Sequence, residues 1–249
     1  MRRIGLLGGT SWESSSHYYT ELNRGVRERL GGSHSADLVL RSVDFAEVEA
    51  LQEAGDWAEL GRRYEAEARA LAAVGAQVLG ICANTMHLVH DAVVRGAGPD
   101  VDVVHVVDAT AAVAADGGFT RVGLLGTRYT MGSAELFPPR MRARGIDVVV
   151  PEPDDAAEVH RVVYDELVQG RVLDSSRRAY LDVIGRLVER GAQAVVLGCT
   201  EQSMLLDPTD PEHAAMSPVP LLDTTALHVA AILEAAFASP TARTEEGAA

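Results

Sequence analysis

Two cysteines, Cys82 and Cys199, are the only thiols in the 249-residue chain, and each closes an apolar run. The first opens Cys82-Ala83-Asn84-Thr85-Met86-His87, and the second sits in Gly198-Cys199-Thr200-Glu201-Gln202. A thiolate takes a proton from carbon and a thiol returns one, so a pair flanking one carbon is acid/base machinery. Each thiol is expected where a strand gives way to a helix. Asn84 or Thr85 would cap a helix from Met86 to Arg95, and Thr200 would cap the helix after Cys199, since a short polar side chain accepts from a free N–H. Such helix starts lower a nearby thiol's pKa and offer amides to a carboxylate. A lone cysteine is more often a small buried hydrophobe. Two in matched settings favour chemistry, and a disulfide between them is the lesser reading.

His87 and His90 lie one helical turn apart, a spacing that could suit a metal. No further ligand has the usual spacing, so no metal is expected; His87 would reach the cleft and His90 would pack or lie on the helix surface. Gly8-Gly9-Thr10-Ser11-Trp12-Glu13-Ser14 is a glycine turn feeding a helix, matched by Gly126-Thr127-Arg128-Tyr129-Thr130-Met131. As a pair they would line one cleft. Neither has the dinucleotide-binding glycine spacing, so no nicotinamide cofactor is expected.

The elements that must position these groups come in two sets. Ile-Gly-Leu-Leu-Gly at 4–8 returns as Val-Gly-Leu-Leu-Gly at 122–126, and the Gly-Ala-Gln run that ends at Cys82 returns before Cys199. Two segments repeating in order at nearly one spacing indicate a duplicated half. Apolar runs at 4–7, 37–43, 77–82, 101–107, 121–125, 146–150 and 193–198 suit strands buried on both faces. Helical stretches fall at 16–30, 57–74 and 175–190. Alternation of the two implies an α/β fold: two pseudo-symmetric domains, each a parallel sheet flanked by helices, with the site in the cleft between them. The expected first domain is 1–110 plus 224–249, with a last helix at about 224–237 packing back on it and a tail over 238–249. The expected second domain is 111–223. Ligands of parallel sheets bind beyond the carboxyl ends of the strands, where both cysteines fall.

Composition narrows the function. The net charge is −14, which disfavours nucleic acid and anionic membranes. No apolar run is long enough to span a membrane and no leader is evident, so a cytoplasmic protein is expected. All 22 basic residues are arginine. Without a lysine there is no Schiff base for pyridoxal phosphate and no phosphate-loop Gly-Lys-Ser/Thr. No cofactor is expected.

The chain resembles the aspartate/glutamate racemase superfamily, most closely its bacterial aspartate racemase-like branch. The stretches that carry the resemblance are Gly-Gly-Thr-Ser-Trp-Glu-Ser-Ser (8–15), Ser-Val-Asp-Phe (42–45), Cys-Ala-Asn-Thr-Met-His (82–87), Leu-Leu-Gly-Thr (124–127), Tyr-Asp-Glu-Leu (164–167) and Gly-Cys-Thr-Glu (198–201). The resemblance implies two similar α/β domains, a homodimer, and a small anionic amino acid as substrate. It puts the paired acid/base thiols on Cys82 and Cys199. It puts the α-carboxylate cradle on Asn84, Thr85 and Thr200, with Thr127 and Thr130 opposite, an ammonium contact on Glu201 and a side-chain contact on Gln52. Many members carry methionine where this chain has Thr10, which alters the pocket wall. Arg41, Arg128 and Arg161 are candidates for meeting a side-chain carboxylate, by position near strand ends. The implied activity is cofactor-free racemisation. A hydantoin racemase, a cis-trans isomerase of a small diacid and a non-catalytic small-molecule sensor are the other readings.

Overall fold

The computed structural model describes residues 1–239, so residues 240–249, most of the expected tail, lie outside it. The first half runs β1 (Ile4–Gly8), α1 (Trp12–Leu30), β2 (Leu38–Ser42), α2 (Phe45–Ala54), α3 (Trp57–Ala73), β3 (Val78–Ile81), α4 (His90–Ala97), β4 (Asp102–Val104) and α5 (Val106–Asp116). The second runs β5 (Arg121–Leu125), α6 (Arg128–Met131), α7 (Pro138–Arg142), β6 (Asp147–Val149), α8 (Pro153–Asp165), α9 (Asp174–Glu189), β7 (Ala194–Leu197), α10 (Pro211–Met216), β8 (Leu221–Asp223) and α11 (Thr224–Phe237). Single 3₁₀ segments at Thr85–Val89 and Thr200–Met204 follow β3 and β7.

The strands form two four-stranded parallel sheets, ordered β2-β1-β3-β4 and β6-β5-β7-β8. The central strands β1, β3 and β7 are buried along their whole length, as continuous apolar runs between two helical layers should be. The expected runs come out shorter where a cap cuts in. The stretch 101–107 ends as a strand at Val104, because the His105 side chain accepts from Val107 N and starts α5. α1 begins four residues before the expected 16, with Ser11 accepting from Ser14 N. β8 has no counterpart in the sequence reading; it is three residues long and preceded by Pro220, too short to show a pattern.

Two helices cross between the halves. α5 follows the first sheet, yet its Val106, Val107, Ala111 and Ala114 pack with Val122 and Phe137 against the second. α11 follows the second sheet, yet its Val229, Ile232, Leu233 and Ala236 pack with Ile4 and Leu22 against the first. Each half therefore completes the core of the other. Among the described residues no helix is long and apolar enough to cross a membrane.

The closest helix contact is α3 against α4. A Cβ at Gly96 would lie 2.1 Å from the Glu65 carbonyl oxygen, an atom that cannot move without its helix. At Gly61, in the same interface, a Cβ would meet Ala92 Cβ at an ordinary 3.6 Å. Gly96→Ala should therefore destabilise the fold by about 1–3 kcal/mol through forced separation of the helices. Gly61→Ala should be neutral or stabilise by up to about 1 kcal/mol, because alanine removes glycine's entropic cost in a helix. Urea unfolding of the two variants checks the contrast.

Candidate active site

Both cysteines leave the carboxyl ends of central strands, but not at equivalent positions. Cys82 N–H donates to the Leu7 carbonyl, and the matching bond in the second half is made by Gly198 N–H to the Leu125 carbonyl. Cys199 thus stands one residue further on than Cys82, and side chains alternate along a strand. The stagger sends the thiols to opposite faces of their sheets. Cys82 packs with Tyr18, Leu22 and α11, whereas Cys199 packs on the α8–α9 core. The sequence reading took the two settings as matched; the extra Gly198 breaks that match.

A small cavity of about 60 Å³ lies at the seam, walled by residues of both halves. Cys199 is in its wall. Cys82 is fully buried and has no surface on it, although its neighbours Ala83, Asn84 and Thr85 do. Burial pushes the Cys82 thiol pKa up. Cys199 is also raised, first by desolvation and then by the charge and hydrogen bond of Glu201; the backbone amides of Thr200 and Glu201 pull the other way and lose. The thiol-acidifying helix starts expected from the sequence are single 3₁₀ turns here, and burial outweighs their partial charge.

Glu201 is the centre of the network. Its Oε2 accepts from Cys199 Sγ at 2.9 Å and from Thr200 Oγ1 at 2.7 Å, and its Oε1 accepts from Ser11 Oγ at 2.8 Å. The negative charge so close to sulfur holds the thiol proton in place. Behind it, Gln202 rather than Thr200 does the capping: its Oε1 accepts from Cys199 N at 3.1 Å, and its Nε2 donates to Tyr180 Oη at 3.3 Å. Ser11 and Gln202 are not among the candidates: the Ser11 contact spans 190 residues, whereas the Gln202 bond to Cys199 N reaches three residues back and has the spacing of a capping box.

Three of the threonines named from the resemblance lie together. Thr85, Thr127 and Thr130 share hydroxyl bonds at 3.1 to 3.4 Å across the seam. Thr85, Thr127 and Thr200 reach the cavity wall, and Thr130 is buried behind them. Asn84 does not cap its turn. Its Nδ2 donates to Thr224 Oγ1 at 2.9 Å, a hydroxyl whose own proton goes to the Leu197 carbonyl. That leaves Asn84 Oδ1 buried without a donor, an acceptor open to an N–H or O–H. Thr10 and Gln52 also line the cavity; Thr10 Oγ1 is without a partner, and Gln52 Nε2 donates to Met86 Sδ at 3.1 Å.

His87 is elsewhere. Its Nδ1 donates to the Ala83 carbonyl at 2.9 Å and its Nε2 accepts from Val106 N at 3.2 Å, so both nitrogens are spent on backbone and burial keeps the ring neutral. It stacks among His90, His105 and His228 under the seam and does not line the cavity. Among the described residues no group of three or more His, Cys, Asp or Glu is arranged to hold a metal. The candidate arginines are likewise engaged outside the cavity. Arg41 grips Glu67 through two nitrogens, Arg161 bonds Glu158 and Glu166, and Arg128 lies over the Tyr129 ring.

Comparisons with known proteins place the family and the fold. Residues 7–232 match the profile of the Asp/Glu/hydantoin racemase family. A solved structure of a candidate Asp/Glu racemase from Yersinia pestis is 40% identical, covers 96% of this chain and 100% of its own, and superposes with a TM-score of 0.86. An aspartate racemase homologue from Pyrococcus horikoshii is 29% identical over 95% of this chain and 99% of its own, with a TM-score of 0.80. Glutamate racemase from Francisella tularensis, solved with D-glutamate, shares the fold at 15% identity and a TM-score of 0.65, over 94% of this chain and 80% of its own.

Thiol alkylation separates the two cysteines. Iodoacetamide should modify Cys199 before Cys82 in the folded protein, because only Cys199 has surface on the cavity. The Cys199 rate should climb with pH past the ordinary thiol range. Glu201→Gln removes the charge that holds the proton on sulfur, so the midpoint should move to lower pH. Peptide mass spectrometry across pH 6–10 reads both effects.

Proposed function

The chain belongs to the Asp/Glu/hydantoin racemase family, and we propose that it is an amino-acid racemase that works with two thiols and without pyridoxal phosphate. The observation that carries this reading is the Cys199 thiol bonded to the Glu201 carboxylate at the wall of a cavity shared by two halves, each of which ends a central strand on a cysteine.

Inverting a carbon requires removing its proton from one face and supplying one at the other, which a single side chain cannot readily do. In the proposed cycle the substrate ammonium takes over the Glu201 oxygens, Cys199 gives its proton to water, and the resulting thiolate takes the α-proton while Glu201 stays ionised. The electron pair left on carbon delocalises into the α-carboxylate. The hydroxyls of Thr85, Thr127 and Thr200 bond that carboxylate as its charge grows. Cys82 then gives its proton to the opposite face and is left as the thiolate. The reverse reaction starts from that state with the roles exchanged. The substrate ammonium is met by Glu201 and by the unpartnered Asn84 Oδ1, whose lack of a donor costs about 1–3 kcal/mol until one arrives. Because Cys82 has no surface on the cavity, the halves must shift when substrate binds so that this thiol meets the carbon.

With no lysine in the chain, the carbanion cannot be handed to a pyridoxal imine of the protein, which is why the hydroxyl cradle has to carry its charge. The test is racemisation followed by circular dichroism, with no added cofactor. Cys82→Ala and Cys199→Ala should each lower kcat by roughly 10²- to 10⁴-fold while the fold survives, since the lost groups transfer the protons. A near-normal rate in either variant rejects the two-thiol reading.

A further inference from the structure

We propose that the substrate is an amino acid with an uncharged side chain, not aspartate or glutamate; this rests on the racemase reading above and narrows it. The argument is an inventory of charge. Among the described residues that wall the cavity, Glu201 is the one charged side chain, and no arginine or histidine joins it. A zwitterion occupies the charged and strongly polar groups after β3, β5 and β7: its ammonium takes Glu201 and Asn84 Oδ1, and its α-carboxylate takes the threonine hydroxyls.

The rest of the wall comes from different elements and is different in kind. Phe45 stands on α2, Met86 in the turn after β3, and Val163 and Val168 on and just after α8. The neutral polar groups that interrupt this surface are the Gln52 amide, the Tyr164 phenol and the Thr10 and Ser11 hydroxyls, and none of them carries a charge. Gln52 spends an N–H on the Met86 sulfur, a weak acceptor that a stronger one would displace, but an amide carries no charge. A second carboxylate here would be desolvated with no cation to pair it, in a cavity that already holds Glu201 and in a chain of net charge −14.

Each arginine named from the sequence has its own anchor. Arg41 and Arg161 are held by carboxylates. Arg128 lies nearest, exposed and bonded to the Tyr129 hydroxyl at 2.7 Å, outside the wall that the substrate would touch. The expectation of an anionic substrate came with the family resemblance. The cavity of this chain does not carry the group that would recognise one.

The decisive comparison uses isosteres that differ in charge alone. α-Proton exchange in heavy water is followed by NMR for L-glutamine against L-glutamate and L-asparagine against L-aspartate, with L-methionine, L-leucine and L-alanine alongside. The uncharged members should exceed the acids in kcat/KM by about a hundredfold or more, the scale set by leaving a buried polar group unpaired. Gln52→Arg, which puts a guanidinium into the apolar wall, should narrow or reverse that ratio. Glutamate or aspartate exchanging faster than its own amide overturns the inference and leaves the racemase reading intact. Exchange with none of these amino acids removes the racemase reading, and the inference falls with it.

Discussion

A carboxylate that is 6% exposed must find donors, and Glu201 finds them from three directions. Cys199 supplies a thiol, Thr200 a hydroxyl from its own turn, and Ser11 a hydroxyl from the other half. That one requirement fixes much else. It holds the Cys199 sulfur at the cavity and adds to the burial that raises the thiol's pKa. It also ties the glycine turn after β1 to the turn after β7, so the two halves meet where the chemistry is proposed to occur.

Around this contact the seam is crossed by further polar pairs. Asn84 reaches Thr224, the three threonines share their hydroxyls, and His228 takes the Tyr18 proton while giving its own to the Val104 carbonyl. Such bonds define one arrangement of the halves, whereas apolar packing alone would tolerate sliding. The crossed helices add a covalent reason for the same result, because α5 and α11 each bury their apolar face in the partner sheet.

The duplicated α/β halves were legible because buried parallel strands leave continuous apolar runs and the two runs before the cysteines are nearly copies. The sites of Cys199, Asn84, Thr85 and Thr200 were legible for the same reason, since strand ends are where parallel sheets present side chains. What was hidden needed distance or a count of single residues. Ser11 acts across 190 positions, and no local pattern announces it. Gly198 shifts Cys199 by one place and moves its thiol to the other face of the sheet. His87 reads as a cleft residue by spacing, but its ring is consumed by the backbone of Ala83 and Val106. The arginines near strand ends read as carboxylate receptors; whether an acidic neighbour reaches them first is decided only in three dimensions.

The central claim is that two thiols serve opposite faces of one carbon. Its most direct test is the early time course in heavy water starting from a single protonated L-enantiomer. Two bases predict that the D-product carries deuterium at the α-carbon from the first turnover while the recovered L-substrate stays protonated. Deuterium entering both enantiomers equally from the start would mean that one group serves both faces, and would contradict the account.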